Sequence, residues 1–238
     1  MKKLIAVALI AGFGSAHAVD LFNNGAAVAG SPALSVIRTG GTSFGAGAQG
    51  SVPNSVADNF SVGGPGWNVQ SLSFFAYQSF AASAFTFTNA TWSVISGDIN
   101  LGTVVASGTT ALTNGGLQGY RVTATTLTNL DRAIFRLDAN VTDFSLTAGS
   151  YWLRWAMTGT AGSGPWQPPT AAGTVGNAQQ SIPDAPPYAL YVDPGDQLGV
   201  EFPFIIQGSV VPEPSTYAML LAGGLVVVAL ARRRRTQV

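Results

Sequence analysis

The sequence predicts an all-β protein: a β-sandwich body, jelly-roll-like in layout, followed by a single C-terminal transmembrane helix. Three observations carry this expectation. About ten short stretches alternate apolar and polar residues with period two. Clusters of Gly, Pro, Asn and Asp separate them with turn chemistry. Helical periodicity is nearly absent outside the two ends, and no repeat at a propeller or solenoid period is visible.

Taken in order, Leu34–Arg38 and Val56–Val62 read as the first strands, with Gly63-Gly64-Pro65-Gly66 as a turn. Trp67–Tyr77 carries apolar residues on both faces, so it is expected to be buried on both sides. Val69, Ser71, Ser73, Phe75 and Tyr77 would share one of those faces. Phe85–Ile95, Thr103–Ser107 and the alternating segment from Tyr120 follow, with Asn114-Gly115-Gly116 as a turn. Ala133–Leu137, Val141–Leu146 and Tyr151–Met157 continue the rhythm. From Gly159 to Pro187 no element is expected, an unusually long connection of the kind that tends to be functional. Tyr188–Val192 and Val200–Ile206 close the body around the turn Asp193-Pro194-Gly195-Asp196. Pro203 cannot donate to a ladder, which argues for an edge position of the last strand.

Both ends have the composition of export segments. Lys2 and Lys3 precede an apolar stretch from Leu4 to Phe13, and Ala16-His17-Ala18 forms an A-x-A cleavage site, so residues 1–18 read as a signal peptide. At the other end, Val211-Pro212-Glu213-Pro214 is a short extended segment, because each proline disfavours helix at the residue before it. An uncharged stretch to Ala231 follows, long enough to span roughly 25 Å as a helix. Arg232, Arg233, Arg234 and Arg235 then mark a cytoplasmic side by the positive-inside rule. The body between the two ends, residues 19–210, is therefore expected outside the inner membrane.

The body holds five arginines against ten carboxylates, a net charge near −5, and no lysine. That excludes a phosphate-tracking nucleic-acid binder. Cysteine is absent, and the one histidine, His17, lies in the signal segment. Without His, Cys or Lys, the body cannot assemble Ser-His-Asp or Cys-His nucleophiles, histidine or thiolate zinc sites, or a Schiff base. No cofactor, no metal site and no enzyme activity are expected.

The order of parts from Val211 to Arg235, with Pro212-Glu213-Pro214, an apolar helix and an arginine cluster, resembles the PEP-CTERM sorting signal of Gram-negative bacteria. The resemblance implies an inner-membrane exosortase as a transient partner, cleavage near the motif, and delivery to the cell surface or beyond. It also implies association with extracellular polysaccharide, and hence biofilm matrix.

Three body features are candidate sites. Trp152, Trp155 and Trp166 offer a stacking platform for sugar rings, or else fill the core. The pairs Asp193/Asp196 and Asp138/Asp143 offer oxygen ligands to calcium, although Asp-Pro-Gly-Asp is first a turn sequence. Glu201 with one of the aspartates is the minimum for a carboxylate-only glycoside hydrolase. The leading expectation is a non-enzymatic envelope or matrix component. A carbohydrate-binding protein and a secreted hydrolase are the alternatives.

Overall fold

A computed structural model describes residues 18–81, 83–182, 187–212 and 223–227. Its strands, in chain order, are β1 (Val19–Asn23), β2 (Leu34–Val36), β3 (Ala46–Gly47), β4 (Ser55–Val62), β5 (Trp67–Ala76), β6 (Phe87–Ser96) and β7 (Thr103–Ala111). They continue with β8 (Thr113–Val122), β9 (Ala133–Leu146), β10 (Gly149–Gly159), β11 (Trp166–Gln167), β12 (Gln179–Ser181), β13 (Ala189–Leu190) and β14 (Phe204–Val210). The body is all-β. One six-stranded sheet runs β1-β14-β5-β9-β8-β2, the other β13-β12-β4-β10-β6-β7, and β3 pairs with β11.

The two large sheets face each other across one core. Leu72, Phe74, Phe135, Leu137, Phe204 and Ile206 from the first meet Val56, Phe60, Trp92, Val94, Leu153 and Trp155 from the second. Alternation along each strand supplies these rows, as expected of half-buried strands. Two smaller clusters lie on the outer faces. Phe75, Tyr77, Ile134 and Ile205 are covered by Ala27, Val28, Phe44 and Trp166. Ala57, Ile95 and Ile99 are covered by Tyr188, with Trp152 alongside. The expected burial of the Trp67–Tyr77 strand on both sides is thus met, with Phe74 in the main core and Phe75 outside it.

Several expectations are corrected by local geometry. A register shift between Val69 and Ser71 breaks the alternation in β5, so Val69 joins Leu72 and Phe74 in the core rather than sharing a face with Phe75. Asn114-Gly115-Gly116 is no turn; it lies within β8, in an irregular ladder against β9. Ala133–Leu137 and Val141–Leu146 are one 14-residue strand. Pro203 precedes β14 instead of interrupting it, and β14 sits between β1 and β5 rather than at an edge. The long connection after Gly159 contains β11 and β12.

The transmembrane helix falls largely outside the described residues. Residues 223–227 are helical, and no helix among the described residues is long and apolar enough to cross a membrane.

Candidate functional site

Of the export residues, Ala16, Glu213, Pro214 and Arg232, Arg233, Arg234 and Arg235 lie outside the described residues, while Ala18, Val211 and Pro212 lie within them. β1 begins at Val19, directly after the expected cleavage point, and pairs Val19 with Gly208 of β14. At the same end of that sheet Val210 pairs with Trp67, and the Val211 N–H donates to the Gly66 carbonyl at 3.0 Å. The two export segments therefore leave the body side by side. The sorting motif starts within one residue of the last ladder pair.

The three candidate tryptophans are not brought together. Trp155 is fully buried in the main core, 5.5 Å from Phe74 and 5.7 Å from Phe204 between ring centroids. Its Nε1–H donates to Gln167 Oε1 at 3.0 Å. Trp152 packs on the outer face of one sheet and Trp166 on the outer face of the other. They form no single platform.

The aspartate pairs are occupied by the chain itself. Asp193 closes the turn opposite the 41–43 loop, accepting the N–H groups of Thr42, Ser43 and Gly195. Burial alone would raise its pKa, but these donors outweigh it and hold the carboxyl below its ordinary value. Asp196 is held down chiefly by its two-pronged pairing with Arg38, at 2.6 and 2.7 Å. Asp138 accepts from Ser73 and Arg136, whereas Asp143 is reached by Gln70. No group of three or more His, Cys, Asp or Glu suited to a metal occurs among the described residues.

Glu201 is different, because the fold brings it to Asp58. Asp58 occupies the inward row of β4 between Val56 and Phe60, where alternation calls for an apolar residue. It is fully buried. Its carboxyl accepts N–H groups of Phe202 at 2.7 Å and Asn59 at 2.8 Å, and the Asn24 amide at 3.0 Å. The same Asn24 Nδ2 donates to Glu201 Oε2 at 3.1 Å, and the Asn177 N–H reaches Glu201 Oε1 at 3.2 Å. Burial first, then the charge of Glu201, pushes the Asp58 pKa up to about 8. Gly176 lies against the pair, and a Cβ there would fall 1.9 Å from Glu201 Oε1 and displace that carboxyl.

A cleft of about 450 Å³ opens over this pair, lined by Phe22, Asn24, Asn59, Phe60, Thr170 and Glu201 among others. Only Glu201 of the two carboxyls faces it. Burial favours the neutral form of Asp58, which has no exposed atom with which to meet a ligand. Sequence reasoning missed Asp58, although its place in the Val56, Phe60, Val62 row was a legible signal.

With the geometry in place, comparison with known proteins settles the C-terminal segment. A family model described as the PEP-CTERM protein-sorting motif matches residues 210–235. The chain carries a PEP-CTERM motif. The PEP-CTERM match begins on the last residue of β14 and ends on the last arginine of the cluster, and it is consistent with an exosortase substrate directed to export. No curated protein and no solved structure matched the chain.

Proposed function

We propose that the protein is an exported, exosortase-processed and non-enzymatic component of the envelope or extracellular polysaccharide matrix. The observation that carries this reading is the PEP-CTERM match at residues 210–235, directly after a folded β body. The helix and the arginines Arg232 to Arg235 act in this reading as a temporary inner-membrane anchor. The side-by-side exit of residues 18 and 211 supports it, because both apolar segments then reach one bilayer without threading past the body.

The body is read as a jelly-roll-like sandwich. The long strands change sheet at most connections, with β4 in the second, β5 in the first, β6 and β7 in the second, β8 and β9 in the first, β10 in the second and β14 in the first. The non-enzymatic reading is supported by the absence of His, Cys and Lys in the body and by a carboxyl pair of which one member is sealed in the interior. Replacing Pro212-Glu213-Pro214 with three alanines tests the sorting step. The substituted chain is expected to accumulate uncleaved in the inner membrane, while normal release of that variant would remove the basis of the proposal.

A further inference from the structure

A second concavity, of about 350 Å³, lies on the outer face of the β7-β6-β10-β4 sheet. Strand register builds it. Arg154 of β10, Ser93 of β6 and Ser107 of β7 stand in one cross-strand row, and Ala156, Thr91 and Thr109 in the next. No large side chain rises from either row except Arg154, so the floor is a sheet of hydroxyls.

Arg154 stands apart from the other cations of the body. Arg38 and Arg136 are in salt bridges with Asp196 and Asp138. Arg121 is buried against the carbonyls of Ser43 and Phe44. Arg132 sits 3.8 Å above the Phe44 ring. Arg154 donates through Nε to the buried Ser93 Oγ at 2.8 Å, which fixes the guanidinium plane, with the Tyr188 ring 6.0 Å away. Among the described residues, its two terminal nitrogens have no hydrogen-bond partner and no carboxylate pairs with it. In a body with a net charge near −5, this is a positioned cation without a counter-ion among the described residues.

We propose that this groove binds a carboxylated sugar residue of an acidic polysaccharide. The free edge of the Arg154 guanidinium takes the uronate carboxylate through two parallel hydrogen bonds, the geometry this pair favours. The hydroxyls of Ser107, Thr91 and Thr109 bond the ring hydroxyls, each serving as donor or acceptor. Trp152, two residues from Arg154 on the same face, lies outside the groove lining and packs beside Tyr188. This names a partner for the matrix role proposed above and rests on that role for its setting.

Binding is measured with the purified full-length chain in mild detergent, against oligogalacturonate, neutral dextran oligomers and sulfated dextran oligomers. Oligogalacturonate is expected to bind best, with an affinity that falls as salt rises. Arg154→Gln and Ser107→Asp should each weaken it about tenfold or more, at unchanged melting temperature. Ser107 is exposed, so its variant decides the matter should Arg154→Gln lose its fold. Equal affinity for neutral dextran, tighter binding of the sulfated chain, or unaltered binding by Ser107→Asp would each overturn the assignment. A protein that is never processed yet binds oligogalacturonate keeps this proposal while sinking the sorting one.

Discussion

Trp155 and Asp58 show how far a single residue's place can depart from its type. Both occupy inward rows of adjacent strands, one as the largest apolar anchor and the other as a carboxyl among apolar neighbours. Removing the Trp155 indole leaves a cavity among Phe74, Phe202 and Phe204 and strands Gln167, so Trp155→Ala should destabilise by about 3–5 kcal/mol in urea unfolding. Asp58 gives a prediction of opposite character, in pH rather than volume. Its folded pKa is raised to about 8 from an ordinary value of 3.8, so the native state holds a proton that the unfolded state has released. Stability should therefore fall as pH rises from about 4 to about 8, and Asp58→Asn should flatten that slope. Asp193 and Asp196, held below their ordinary values, act the other way and weaken the fold as pH drops towards and below 4. Urea titrations at pH 3, pH 5 and pH 8.5 sample both windows, and wild-type stability that rises from pH 5 to pH 8.5 would refute the assignment to Asp58.

Strands rich in alternating apolar residues were legible from the sequence, β4 to within one residue and β10 to within two at each end. What was not legible came from pairing, which no local pattern contains. The extra β5 residue at Gln70, opposite β14, switches a face, Asn114-Gly115-Gly116 is drawn into a ladder by β9, and β1 pairs along β14. The candidate site was legible only in part, since Glu201 was visible as a carboxylate but its neighbour lies 143 positions away in sequence. The connection carrying Gly176 is a further case of long-range control. Gly176→Ala should cost about 2 kcal/mol by forcing the Glu201 carboxyl from its place. Adding Glu201→Ala should recover much of that loss, and full additivity in the double-mutant cycle would mean that the two positions do not touch.

At the scale of the whole molecule, the fold places both expected processing points at one end of one sheet. Val19 pairs with Gly208 on the neighbouring strand, three residues before Val211, and the sorting motif follows the ladder without a linker. In the proposed reading the 63–66 turn, which lies next to Val211, faces the bilayer until the motif is cut. The central claim is that the C-terminal segment is a handle removed after export. Intact-mass analysis of the native protein, combined with membrane fractionation, tests it most directly. The account predicts a species that begins at Val19, ends near Pro214 and lies outside the inner membrane. A chain recovered in the inner membrane with Arg232 to Arg235 still attached would contradict it.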